Sequence, residues 1–263
     1  MERSGIEYER FADIYAIWTA TAPSAHANLA FYRDAYVAAA GPVVELGVGD
    51  GRIAVAAAER GRHVVGVDLS PAMLELCRAN AERAGVAHRL TLVEADFRTF
   101  ELTEPASLIA LPYHSLGHLQ SLDQKREALT HVHSQLRPGG QFIFDDFVMT
   151  PEQLDRMRRV QLRAEYTSAT GQQTLLWVTS LIDEPAQTMR VITWEDAVTD
   201  DGTLERRQYR TLSLSWLAPA QARQLLEDCG FAIEACFGNF DRAPFDPATA
   251  HEQVWVARKD QRR

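Results

Sequence analysis

The chain has 263 residues, 46% of them hydrophobic, which suits one full core with an addition and falls short of two independent domains. Its formal charge of -9 and pI near 5.4 give no basic field of the kind a nucleic-acid duplex needs. The densest basic cluster, Arg156, Arg158 and Arg159, reads as the solvated face of a helix, so large nucleic-acid partners are disfavoured.

Met1 to Glu7 is polar and has no apolar h-region, and no apolar run approaches membrane-spanning length. A cytoplasmic protein without a membrane partner is expected. Cys77, Cys229 and Cys236 are widely spaced and odd in number, which predicts buried thiols rather than a disulfide framework or a zinc knot. Residues 6–40 read as helices. Tyr8, Phe11, Ile14, Tyr15 and Trp18 recur at three- and four-residue steps and give one aromatic face. Ala20 to Ser24 breaks the pattern and Leu29 to Ala40 resumes it. Packing on a sheet accounts for Phe11, Ile14 and Trp18.

The stretch from Val43 to Arg52 (VVELGVGDGR) is a short apolar run entering a glycine-rich turn. A helical pattern follows from Ile53 to about Arg60, and Val64 to Val67 is a second apolar run ending in Asp68. Strand, turn, helix and strand make the first unit of a doubly wound α/β sheet. Glycine lets the backbone turn sharply and approach a ligand closely. An acid about twenty residues beyond such a turn sits where a ribose hydroxyl pair is bound. The glycines alone also suit other α/β proteins, and with the acid they permit a dinucleotide-dependent oxidoreductase. Ser70 is a helix N-cap with Pro71 in the first turn, and Gly85 ends that helix. Leu90 to Val93 is the third strand and delivers Asp96 to the sheet edge that holds Asp68.

Ala106 to Leu111 is the fourth strand, followed by Pro112 to Leu119 (PYHSLGHL). His114 and His118 stand four residues apart just past a central strand. A zinc site needs three or four ligands, and the sequence shows no partners for them. A general base is the better reading, because neutral imidazole titrates near working pH. Leu122 to Leu136 reads as a helix with His131 and His133 toward solvent. Pro138-Gly139-Gly140 then turns into a fifth strand, Gln141 to Asp145. Asp145 and Asp146 fall at the same edge, to orient a cationic acceptor or to cap Phe147 onward. From Pro151 the composition changes: a charged helix, Glu152 to Glu165, precedes Gln173 to Ile182, Met189 to Val198 and Glu205 to Trp216. These alternate as two or three antiparallel strands of an insert joined to the main sheet, with Trp177 and Trp194 filling its core or lining a pocket. Pro219 to Cys229 is the last helix, and Phe231 to Phe237 with Glu252 to Arg258 form a closing hairpin.

Glu45 to Gly51, then Asp68, then Glu94-Ala95-Asp96-Phe97, then Leu136 to Gly140 together resemble the motif series of the class I S-adenosylmethionine-dependent methyltransferases. The oxidoreductase reading does not predict the last two of these. The resemblance implies a doubly wound, Rossmann-like, seven-stranded and mostly parallel sheet with amino-terminal helices and an antiparallel β-insert. It also implies S-adenosylmethionine as cofactor. Glu45, Gly47, Gly49, Asp68, Leu69, Met73, Asp96, Phe97 and Leu111 would surround it, with Asp68 on the ribose, Asp96 by the adenine amino group and Met73 against the adenine. For Met73, helix-to-sheet packing stands as the equal alternative.

Phe11 to Tyr15 resembles the lid segment of small-molecule methyltransferases of this class, with Tyr15 as the lid tyrosine; the acid that often follows it is Ala16 here. Ser115 to Leu119 is similar to the segment of macrolide aminosugar N-methyltransferases that carries the proposed active-site histidine, which selects His118 ahead of His114. The implied organisation is a lid over residues 1–40 and a cofactor-binding core over 41–149. A substrate-side helix and insert follow over 150–216, and residues 217–263 complete the core. Methyl transfer to a small-molecule amine is the expected activity. Transfer to a hydroxyl, nicotinamide-dependent oxidoreduction and a non-catalytic binding role are the alternatives, and the assembly is expected to be a monomer or homodimer.

Overall fold

The computed structural model describes residues 11–21, 23–168 and 170–260. Tyr8, part of the expected aromatic face, lies outside them. Two helices, α1 (Ala12–Ala20) and α2 (Pro23–Ala38), precede the sheet. Then follow β1 (Val43–Leu46), α3 (Arg52–Glu59), β2 (Val64–Asp68), α4 (Pro71–Arg83), β3 (Leu90–Glu94), β4 (Ala106–Leu111), α5 (Leu122–Gln135) and β5 (Leu136–Phe147). Helix α4 starts where expected, with the Ser70 hydroxyl accepting from Met73 N–H at 3.3 Å.

The seven-stranded sheet has the order β10-β11-β5-β4-β1-β2-β3, where β10 is Phe231–Phe237 and β11 is Glu252–Lys259. β11 pairs antiparallel with both β5 and β10, while β1 to β5 pair in parallel. Every residue of β4 is buried, as a parallel strand covered on both faces requires. Alternation sends Ile109, Leu111, Phe142 and Phe144 to one face, against Leu129 and Val132 of α5 and the helix α7 (Pro219–Asp228). Leu108, Ala110 and Ile143 go to the other, against Tyr32 and Tyr36 of α2 and Ala54 and Ala57 of α3. The sheet therefore sits between two helical layers, and its strand ends converge on the loops after β1, β2, β3 and β4.

Three expectations are corrected. Strand β5 begins at Leu136, not at Gln141; its first residues pair irregularly with β4 around Gly139, whose φ is 74°. The helix expected to reach Glu165 stops as α6 (Pro151–Arg158), and Gln161–Thr167 is instead strand β6. Val160 onward alternates with period two, and β7 offers a free edge, so pairing overrides the helical composition there. The insert is thus a four-stranded sheet, β6-β7-β8-β9, with β7 (Gln173–Asp183), β8 (Thr188–Val198) and β9 (Leu204–Ser215). It shares no strand pairing with the main sheet. His131 and His133 are half-buried rather than solvent-facing, packed edge-on against Phe100 and Phe231.

The insert joins the core through the turn after β4. Ser215 Oγ donates to the carbonyl of Leu119 at 2.8 Å, and Gln120 Nε2 donates to Ser213 O at 3.1 Å. Gly117 permits this approach, since a Cβ on it would stand 2.7 Å from the carbonyl oxygen of Ser215. Backbone cannot withdraw as a flexible side chain can. Gly117→Ala should therefore lower stability by about 1–3 kcal/mol in urea unfolding, and a change within measurement error would show that the insert is not held at this point.

Candidate active site

Strand β1 ends in a turn whose Gly47, Gly49 and Gly51 have φ of 65°, 56° and 80°, left-handed values that L side chains adopt only at a cost. Asp68, at the end of β2, fixes this turn from beside it. Its Oδ2 accepts from Gly49 N–H at 2.8 Å and its Oδ1 from Ser70 N–H at 2.9 Å. A carboxylate has about four acceptor positions, so these donors leave acceptor capacity for a ribose hydroxyl. Burial raises the pKa of Asp68 while these N–H donors lower it, with a net rise. Leu69 beside it is 39% exposed, an apolar surface at the sheet edge.

Phe97 lies at the turn, its ring 3.4 Å from the Cβ position of Gly47. Asp96 is held by both its oxygens to Arg98, at 2.9 and 2.6 Å, a fork-to-fork pair that keeps it below the usual carboxylate range. Under the turn Glu45 is buried, its pKa pushed up to about 8 by that burial, and its Oε2 has no hydrogen-bond partner among the described residues. A glycine cradle, a ribose acid with spare acceptor positions and an unsatisfied buried acid together fit S-adenosylmethionine. Met73 and Leu111 are fully buried. For Met73 that favours helix-to-sheet packing over an adenine contact, and the Leu111 side chain belongs to the main core.

On the acceptor side, the segment after β4 carries Tyr113 and His114 at φ 61° and 58°, two consecutive non-glycine residues in the left-handed region. Buried Asp145 holds them there, accepting from Tyr113 N–H at 2.9 Å and His114 N–H at 3.0 Å. It also accepts from the Tyr32 hydroxyl at 2.5 Å. Asp146 points to the opposite face and accepts from Phe147 N–H at 2.7 Å and Leu217 N–H at 2.9 Å. Neither carboxylate is exposed to orient a cationic acceptor; capping Phe147 is the expectation that the geometry meets.

The His114 ring stacks on Phe147 with centroids 3.8 Å apart, and its Nε2 lies 2.7 Å from Glu252 Oε2 and 3.6 Å from Asp145 Oδ2. Burial opposes charging the ring, but the two carboxylates outweigh it and bring the pKa up to about 9. His114 is therefore an imidazolium at neutral pH and not a base. Among the described residues this trio has donor atoms close enough to share a metal ion. Its atoms already satisfy one another as an ion pair. His118 differs: burial and the nearby Lys125 ammonium push its pKa down to about 4. Lys125 itself is buried, donates to Leu116 O at 2.6 Å and so supports the turn that carries His118.

Tyr15, His114, His118 and Glu252 line one cavity of about 780 Å³, bounded by α1, the turn after β4, α6 and the inner face of the insert. That size suits a small molecule. Tyr15 also touches the cofactor side, its hydroxyl oxygen 3.5 Å from the Cβ position of Gly49. One side chain thus stands between the glycine turn and the cavity.

Residues 43–140 match a protein-family model described as a methyltransferase domain. The chain has the fold of the class I S-adenosylmethionine-dependent methyltransferases. A protein of Geobacillus sp. (strain WCH70) named for methyltransferase activity is 25% identical over 218 residues, 82% of this chain and 84% of that one. The chain spans under half the length of the carboxy-S-adenosyl-L-methionine synthases that it also matches. Among solved structures, the CcbJ methyltransferase from Streptomyces caelestis superposes with a TM-score of 0.79 at 24% identity, covering 95% of this chain and 96% of that chain. The sugar N-methyltransferase KedS8 from Streptoalloteichus sp. superposes with a TM-score of 0.68 at 18% identity, covering 91% and 88%.

Of the residues singled out from the sequence, Gly47, Gly49, Asp68 and Phe97 meet around the turn, and Tyr15, His114 and His118 meet around the cavity. Trp18, taken as sheet packing, is half-buried and lines that cavity. Trp177 and Trp194 do not line it; they stack on each other across β7 and β8, with centroids 6.2 Å apart. Arg98, Asp145's role and Glu252 escaped the sequence reading. Glu252 reaches His114 across 138 residues, and no local pattern announces such a pair.

The His114 pair carries a pH signature. Its folded pKa is raised, from 6.5 to about 9, so its stabilisation is complete below the unfolded value and is lost as pH rises toward 9. Unfolding measured at pH 6, 7.5 and 9 should show that loss, and His114→Gln should flatten the profile across this window. An equal slope in both proteins would contradict a charged His114.

Proposed function

We propose that this chain transfers the methyl group of S-adenosylmethionine to an amine nitrogen of a small-molecule acceptor held in the 780 Å³ cavity. The observation that carries the proposal is Tyr15, which touches the glycine turn on one side and lines the cavity on the other. The name of KedS8, a sugar N-methyltransferase, supports nitrogen as the acceptor atom.

S-adenosylmethionine, when bound, supplies a methyl group on a sulfonium, which a lone pair displaces in line. The protein's task is alignment, proximity and exclusion of water. Asp68 and the glycine turn would hold the cofactor's ribose and methionine portions. Tyr15 and Trp18, one helical turn apart on α1, cover the cavity as a lid does. With the His114 charge balanced by Glu252, the arginines Arg156 and Arg163 make the cavity wall cationic. Like charge disfavours a protonated amine, so an acceptor amine there is held in the neutral form that can attack.

His118, with a pKa of about 4, is a neutral ring at working pH and a weak proton acceptor. It serves best by accepting a hydrogen bond from the acceptor N–H and aiming the lone pair. The proton then leaves to solvent after transfer.

Methyl-labelled S-adenosylmethionine should label amino sugars and spare their matched hydroxy sugars. His118→Ala should cut kcat/KM by about 10²-fold, and by the same factor across about pH 6 to 8, since His118 does not titrate there. Labelling of the hydroxyl partners alone would replace nitrogen with oxygen, and labelling of neither would sink the proposal.

A further inference from the structure

We propose that the acceptor carries an anionic group, a carboxylate or a phosphate, which Arg163 binds at the end of the cavity beneath α1. This rests on the cavity being the acceptor site.

Arg163 is placed there by a fault in the edge strand. Leu162 pairs with Trp177 and Ala164 with Leu176, consecutive residues on β7, so Arg163 is the extra residue of a β-bulge. Simple alternation would send Arg163 and Ala164 to opposite faces of the insert. Instead Ala164 packs with Phe11, Ile14 and Leu176, and Arg163 lines the cavity on the same side. Bulges commonly re-aim a side chain beside an active site.

The guanidinium so delivered is incompletely satisfied. It lies over the Trp18 ring, 4.9 Å from the centroid, and its one hydrogen bond among the described residues is a long one to Trp18 O at 3.4 Å. Its Nε is buried without a partner among the described residues. The titratable groups that act on it are Tyr113, a phenol kept neutral by burial, and a second arginine, Arg156, with no carboxylate among the described residues doing so. Arg210, a buried arginine of the same sheet, is by contrast paired with Glu195. The acid among the described residues that line the cavity, Glu252, is already paired with His114. An arginine with its face covered by an indole keeps its planar edge for a ligand, and that edge matches a carboxylate or phosphate in two-point fashion.

Trp18 follows Tyr15 by three residues, so the anion would bind about one helical turn, ~5 Å, from the residue that faces the methyl donor. Arg163 then selects acceptors by the distance between their anion and their nitrogen.

The test uses the full chain saturated with S-adenosylhomocysteine, at fixed ionic strength, by calorimetry. The probes are 4-(aminomethyl)benzoate, 4-(aminomethyl)phenyl phosphate and the neutral 4-(aminomethyl)benzamide. At least one anion should bind tenfold or more tightly than the amide, and which one does so distinguishes carboxylate from phosphate. Arg163→Gln should bring the anion down to the affinity of the amide with S-adenosylhomocysteine affinity unchanged, and Arg163→Lys should keep part of the preference. Absence of any preference in the wild type, or a preference that survives Arg163→Gln, overturns the proposal. If Arg163→Gln does not fold, the wild type and Arg163→Lys decide it by the same comparison. Titration with S-adenosylhomocysteine alone separates the two readings: its failure counts against methyl transfer, while the probes titrated without it still test the anion site.

Discussion

Asp145 takes three hydrogen bonds from two other parts of the chain: the Tyr32 hydroxyl from α2, and the N–H groups of Tyr113 and His114 from the turn after β4. Those two residues hold left-handed backbone, a conformation that costs roughly 1–3 kcal/mol each and persists only where surroundings over-determine it. The acid, fully buried, needs those donors as much as they need it, because an unsatisfied buried carboxylate is costly. The result is a turn that cannot relax away from the sheet. It carries the His114 ring toward Glu252 and leads into the short helical turn of His118. Asp146, one residue on and facing the opposite way, anchors Leu217 at the exit of the insert. Two adjacent acids of one strand thus hold the turn after β4 and the exit of the insert.

The cofactor side was largely legible in the sequence because its parts are short and regular. A glycine turn needs glycines, and strand ends in a parallel sheet bring Asp68 and Asp96 to one edge whatever lies between them. Strands and helices of the main sheet fall where the apolar runs place them. What the sequence concealed was long-range or exceptional. Glu252 meets His114, and Tyr32 meets Asp145 across 113 residues, through topology alone. Strand β6 carries a helix-like composition that edge pairing overrides. Arg163 reaches the cavity through a bulge, and a single extra residue leaves no periodic trace.

The two histidines show why a motif names candidates but not roles. Both lie on one short segment, both are shielded, and the sequence offered both as bases. The carboxylates beside His114 turn it into a fixed cation, while burial and the Lys125 ammonium keep the His118 ring neutral. Protonation state follows the neighbours that the fold supplies. A cationic cavity wall around a neutral imidazole is an environment suited to an uncharged amine nucleophile, and this ties the electrostatics to the proposed chemistry.

The glycine turn and Asp68 suit S-adenosylmethionine rather than a dinucleotide. Calorimetric titration of the full chain with S-adenosylhomocysteine, beside NAD, on wild type and Asp68→Ala tests it most directly. S-adenosylhomocysteine should show saturable one-site binding, weakened at least tenfold by Asp68→Ala, and NAD should not bind. Preference for NAD, or S-adenosylhomocysteine binding indifferent to Asp68, would contradict this assignment.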